Sequence, residues 1–202
     1  VRIIAILLSL IVCAGFIFII IKMNPVEVYE GIVEGAVGTS RRFWVTARDA
    51  LTLLCVAVAV TPAFKMKFWN IGAEGQFVIG GLVACVLGIV LKLPAGLHAI
   101  VCLVAAAAAG CIWSLIVVIR KVKRGIHEVL SFIMFNWIAF YLSNYVVNLP
   151  GIHRDSSEAT QDVAASARLL MPEGLRSTLD CSNAHWGIVL AVIAAVIIWV
   201  II

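Results

Sequence analysis

The sequence predicts an all-α fold: a polytopic membrane helix bundle with broken or re-entrant helices and about six spans in 202 residues. Three observations predict it. Apolar residues make up 63% of the chain and charged ones 13%, whereas a soluble domain is roughly half apolar and a quarter charged. The apolar residues are also gathered into uncharged runs separated by charged or Gly/Pro-bearing segments, as in bilayer-spanning helices. Finally, Phe68-Trp69-Asn70-Ile71-Gly72-Ala73-Glu74-Gly75-Gln76-Phe77 sets polar side chains and glycines between two runs of only 15 residues, Ala50 to Phe64 and Phe77 to Leu91. A helix that short reaches roughly 22 Å, against about 30 Å of hydrocarbon. Two readings fit the stretch: a helix break lining a wet path at membrane depth, or a solvated turn between helices.

Taken in order, the chain starts at Val1 and stops at Ile202 inside an apolar run. It therefore reads as a fragment, truncated at both ends, of one transmembrane domain covering 1–202. Ile3 to Ile21 is an uncharged run of 19 residues between Arg2 and Lys22, long enough for one span. It is long for a signal-peptide core and has no small-x-small cleavage site before Met23. From Asn24 to Thr46 the character changes. Glu27, Glu30 and Glu34 share one helical face, as expected of a short amphipathic element at the membrane surface. Gly31 and Gly35 form a GxxxG outside any long apolar context, a weak signal. Arg48 and Asp49 then lead into the first short run, with Pro62 near its end, and Lys65 and Lys67 precede the polar stretch.

After Lys92, Pro94 and Gly96 mark a tight turn with His98 beside it, an expected interfacial residue. Ala105 to Gly110 offers a small-residue face for close helix packing. Arg120-Lys121-Val122-Lys123-Arg124 is the densest charge feature, and such a loop belongs on the cytoplasmic side. Alternation of spans then puts the amino terminus inside and segments 23–47 and 149–184 outside. The span Val129 to Leu149 contains Asn136 near its middle, and an amide there must face protein or a cavity. It serves either as interhelical glue or as a substrate contact. Segment 149–184 is a polar, partly ordered extracytoplasmic loop, and Ala184 to Ile202 begins a sixth span with Trp186 at the interface.

The six cysteines, Cys13, Cys55, Cys85, Cys102, Cys111 and Cys181, include no C-x-x-C and have no His cluster beside them. They read as small buried hydrophobes, Cys181 excepted by its polar surroundings, and no metal or other cofactor is expected. The net charge of +4 is spread over loops, so nucleic acid is not an expected partner. There is no P-loop, no H-E-x-x-H and no G-x-S-x-G. Enzyme chemistry is thus not expected. The rival class is a non-transporting membrane scaffold or an intramembrane enzyme, and the enzyme would have to rest on Glu74 with Asn136.

Trp69 to Gln76 resembles the F-N-I-G-A-E-G-Q signature of permease subunits of bacterial ABC importers. The subgroup is the nucleoside and simple-sugar type within the branched-chain amino acid and ribose permease family. Gly125-Ile126-His127-Glu128-Val129-Leu130 is similar to that family's G-x-N-E-V-I, and Ile133 to Ala139 to its I-M-L-N-Y-I-A. Asn24-Pro25 with Gly31 to Ser40 resembles its early extracytoplasmic segment. Trp69 in place of Phe and His127 in place of Asn are departures. The resemblance implies a multi-pass protein of the bacterial cytoplasmic (inner) membrane, forming a path for a nucleoside or simple sugar, the two not being separable by these motifs. Its partners would be a second permease subunit, an ABC ATPase that hydrolyses the ATP, and a substrate-binding lipoprotein. The ATPase-coupling segment would lie beyond Ile202. Asn70, Glu74, Gln76 and Asn136 are the expected substrate-path residues. Gly72 and Gly75 are the expected helix break, supplying positive-φ freedom and close backbone approach.

Overall fold

The computed structural model describes residues 2–155, 157–178 and 185–201. Helices α1 (Arg2–Phe16, continued by a π-helical turn Ile17–Ile21), α2 (Pro25–Val37), α3 (Ser40–Lys65), α4 (Ala73–Val90), α5 (Leu97–Arg124) and α6 (Glu128–Val147) come first. A hairpin of β1 (His153–Arg154) and β2 (Ser157–Thr160), a 3-10 turn at Ala165–Ala167, α7 (Glu173–Thr178) and α8 (Gly187–Ile201) follow. Among the described residues, five helices are long and apolar enough to cross a membrane, and Gly187–Val200 is a shorter apolar helix. This is the all-α polytopic membrane bundle that the composition predicts. The chain divides into two compact units, Val1–Thr52 with Met171–Ala184 and Leu53–Leu170 with His185–Ile202.

In the first unit, α2 starts where the sequence supplies a cap. Asn24 Oδ1 accepts from the Val26 N–H at 3.1 Å and Pro25 occupies the first helical position, where its missing N–H costs nothing. The Tyr29 hydroxyl donates to the Leu10 carbonyl at 2.6 Å, tying α2 to α1. At the turn into α3, Arg42 pairs with Glu34 at 3.4 Å and Thr46 Oγ1 donates to the Ala36 carbonyl at 2.9 Å.

The second unit is built on α4 packed against α5 and α6. The small face expected on α5 is used. A Cβ on Gly80 would lie 3.1 Å from the Ala106 carbonyl oxygen, and one on Gly110 would lie 3.2 Å from the Gln76 carbonyl oxygen. Without a hydrophobic force between helices in lipid, such backbone approach is what supplies dispersion contact. The buried residues here are correspondingly few, among them Ile79, Ala99, Cys102, Val117, Phe132 and Ala139. At the far end of α4 the chain after β2 folds over Gly88, whose carbonyl accepts from the Ala164 N–H at 3.0 Å. His98, fully buried, holds this cover: Nε2 donates to the Leu87 carbonyl at 3.2 Å, which leaves Nδ1 to accept from Ser166 Oγ at 2.8 Å.

Several expectations need correction. His98 is not interfacial, because both ring nitrogens find partners inside the protein. The first short run is not a short helix: α3 has 26 residues, roughly 39 Å, because it begins at Ser40 and takes in Arg41, Arg42, Arg48 and Asp49. Charged residues end a hydrophobic run without ending a helix. Of the cysteines only Cys102 is buried among those described; Cys13 and Cys111 are exposed, on helix faces that the protein does not cover. Cys181 lies outside the described residues.

Replacing His98 with Phe is expected to release the cover. It removes both bonds while keeping a ring in the space, so amides of 161–168 should exchange with deuterium roughly tenfold faster. Exchange in mid-α5 should not change. Hydrogen-exchange mass spectrometry on the 161–170 peptide checks this.

Candidate functional site at the start of helix α4

Between α3 and α4 the chain leaves helical geometry from Met66 to Gly72. The left-handed turn falls on Lys67, at φ 56°, and not on a glycine. Gly72 is the N-cap of α4, at φ −81° and ψ 6°, with no side-chain oxygen to satisfy the first N–H groups. Ala73 to Gln76 form the first turn of α4, so the break precedes most of the expected Asn70 to Gln76 segment. Gly72 and Gly75 therefore do not supply positive φ. Their use is close approach.

What approaches them is α6. A Cβ on Gly72 would run into the Phe132 ring, and one on Gly75 would lie 2.7 Å from Asn136 Oδ1. Phe132 and Asn136 stand four apart on α6, hence on one face, and they meet glycines three apart on α4. Phe132 is 2% exposed. Asn136 then does what the N-cap does not: its Oδ1 accepts from the Gly75 N–H at 3.0 Å and its Nδ2 donates to the Ile71 carbonyl at 3.1 Å. An amide from another helix thus caps α4 and holds the residue before the cap, satisfying two backbone groups otherwise orphaned at a helix start.

Further side chains close the junction. Trp113 of α5 stands edge-on to Phe135, centroids 5.3 Å apart, with its buried Nε1 lacking a hydrogen-bond partner among the described residues. Phe68 meets Phe132 edge-on at 5.7 Å, and Lys121 Nζ sits 4.6 Å from the centre of the Phe68 ring. Lys121 also pairs with Glu128 at 2.6 Å across the turn at Gly125, whose φ of 64° is left-handed.

The polar residues of the stretch divide by their bonding. Gln76 Nε2 donates to Asn70 Oδ1 at 3.0 Å, both side chains half-buried. That pairing leaves the Asn70 amide nitrogen and the Gln76 amide oxygen without side-chain partners among the described residues, one donor beside one acceptor. Glu74, in the first turn of α4, is exposed and makes no hydrogen bond or ion pair among the described residues. It is not joined to Asn136 among the described residues.

Residues 44–202 match the model of a protein family described as the branched-chain amino acid transport system permease component. The chain belongs to this permease family. Relatives include the guanosine ABC transporter permease NupP of Bacillus subtilis, 34% identical over the whole chain and 57% of its own length. The glucose ABC transporter permease TsgB13 of Haloferax volcanii is 28% identical over 96% of the chain and 52% of its own length. The nucleoside ABC transporter permease NupB of Lactococcus lactis subsp. cremoris is 25% identical over 88% and 50%. The chain thus spans about half the length of the curated relatives it matches. No solved structure matches it significantly.

In this permease the two departures from the resembled signatures take different positions. Trp69 is exposed and turned to Phe64, centroids 5.8 Å apart, while Phe68 makes the inward contact. His127 is the N-cap of α6 and makes no side-chain capping bond there, whereas Asn at that position is a favoured cap. Sequence reading singled out Asn136 and the glycines but missed Phe132, Trp113 and the Lys121–Glu128 pair. The Phe132–Asn136 spacing was a usable signal, since it matches the near repeat of Gly72 and Gly75 on the facing helix.

Proposed function

We propose that this chain is part of the permease subunit of an ABC importer in the cytoplasmic membrane, forming a path for a nucleoside or simple sugar. The observation that carries the reading is the start of α4, where polar side chains without full partners stand on a rigidly held helix end between apolar spans. The relatives, named for guanosine, nucleoside and glucose transport, support the solute class. A hydroxyl-rich solute leaving water needs replacement donors and acceptors. Asn70 and Gln76 offer one of each, and Glu74 offers a carboxylate at the helix end where negative charge is favoured. Asn136 takes the supporting role, because both ends of its amide are already engaged with backbone. Bond chemistry is assigned to none of these residues; ATP hydrolysis belongs to a separate ATPase subunit. A second permease subunit and a substrate-binding lipoprotein complete the assembly.

Glu74→Gln in the full-length complex tests the path. It keeps the shape and leaves the Asn136 bonds alone, so the variant should assemble and retain its ATPase while uptake of labelled guanosine or glucose falls at least tenfold. Unchanged uptake would remove Glu74 from the path.

A further inference from the structure

We propose that the end of the second unit carrying Arg120, Lys123 and Arg124 is a docking surface for the headgroups of anionic phospholipids. The three cations lie at positions i, i+3 and i+4 of the last turns of α5 and so share one face. All three are exposed, and none has an ion pair or hydrogen bond among the described residues. Lys121, one position round the helix, is different. It is held by Glu128 at 2.6 Å and by the Phe68 ring at 4.6 Å. That contact also brings the α3–α4 link to the same end, and with it Lys67, exposed and likewise unpartnered among the described residues. Of the carboxylates here, Glu128 is already neutralised by Lys121, which leaves Glu74 at the start of α4 as the unpaired one. Positive charge is therefore in excess.

The occupant follows from what lies next to the cations along the helix. One turn back on the same side of α5, Ile116 is 40% exposed and Ile119 42% exposed, apolar surface adjoining the charges. An acidic protein surface would leave that apolar area unmatched. A phospholipid matches both, with phosphate on the cations and glycerol and acyl chain along Ile116 and Ile119. The long cationic stems reach headgroup depth from the ends of apolar helices, and Arg presents a planar fork that suits phosphate oxygens.

The test uses the full-length permease in its assembled complex, equilibrated with vesicles of phosphatidylcholine with and without phosphatidylglycerol, and retained lipid counted by native mass spectrometry. The parent should retain phosphatidylglycerol over phosphatidylcholine, and the preference should shrink at high salt. Each cation near an anionic surface is worth about fivefold in affinity. The triple variant Arg120→Gln, Lys123→Gln, Arg124→Gln should therefore weaken retention on the order of 100-fold at low salt, and Arg120→Lys with Arg124→Lys should largely keep it. Equal retention of the two lipids by the parent overturns the proposal, as does unchanged phosphatidylglycerol on the triple variant. Loss of a protein subunit from the triple variant with lipid retained would make the patch a protein contact instead. Should the triple variant fail to assemble, the parent's lipid preference and its salt dependence still decide.

Discussion

Replacing Gly75 with Val is expected to prevent α4 from seating on α6 and to cut the yield of assembled protein severely. A side chain there meets Asn136 Oδ1 at 2.7 Å, the Asn136 Cα at 3.2 Å and Trp113 Nε1 at 3.3 Å. The amide of Asn136 can swing away, but the α6 backbone cannot, and swinging breaks the bond to the Gly75 N–H. Overpacking costs about 1–3 kcal/mol, and the lost cap adds about 1 kcal/mol more. Gly81→Val is the matched control. It lies on the same helix with nothing within 4 Å of its Cβ position, so its cost is limited to the difference in helix propensity. Quantifying folded protein in detergent by size-exclusion chromatography and thermal melting checks the pair. Equal melting temperatures for the two variants would show that Gly75 is not a contact residue.

Asn136→Leu is expected to have the second largest effect, through a different route. Leucine fills the space but leaves the Gly75 N–H and the Ile71 carbonyl unbonded at a helix start packed between helices. An unsatisfied buried group costs about 1–3 kcal/mol, and the Gly75 N–H carries most of that here because Ile71 is 40% exposed. Asn136→Asp keeps an acceptor for Gly75 and loses the donor to Ile71, so it should fall between parent and Leu. Leu142→Ala, on a partly exposed position of the same helix, should be milder than either. Because Gly75 and Asn136 share one contact, the double variant Gly75→Val, Asn136→Leu should destabilise by less than the two single changes added. Additive losses would mean that the two residues act separately, and the capping account would fail. Transport and stability also part company here: a residue that only caps should lower the melting temperature and uptake together, whereas Glu74→Gln should lower uptake alone.

Much of this organisation was legible in the chain itself. Runs such as Ile3 to Ile21 announce spans because the transfer of a helix into lipid is nearly a sum over its own residues, with no partner needed. The α5 face from Ala105 to Gly110 was legible for a related reason, since small side chains in a long apolar run have few uses other than close packing. Asn136 was legible as a residue needing a partner, because an amide in hydrocarbon is costly wherever it sits. Which partner it takes was not. The groups it bonds lie 65 and 61 residues earlier in the chain, and no local pattern encodes that distance. The same holds for His98, whose bonds to Leu87 and Ser166 turn a residue that looked interfacial into a buried tie.

The glycines mark the division most clearly. The sequence pattern marked Gly72 and Gly75 for backbone freedom; neither has positive φ, and Gly75 lies inside the first turn of α4. Whether a glycine is there for φ or for space depends on what stands opposite, and only the tertiary structure supplies Phe132 and Asn136. The sequence by itself determined how many apolar segments there are and which polar groups they carry, because burial in lipid is a property of each segment alone. The tertiary structure decided where α3 begins, which residue turns the chain and which amide caps α4, because those depend on contacts between segments far apart in sequence.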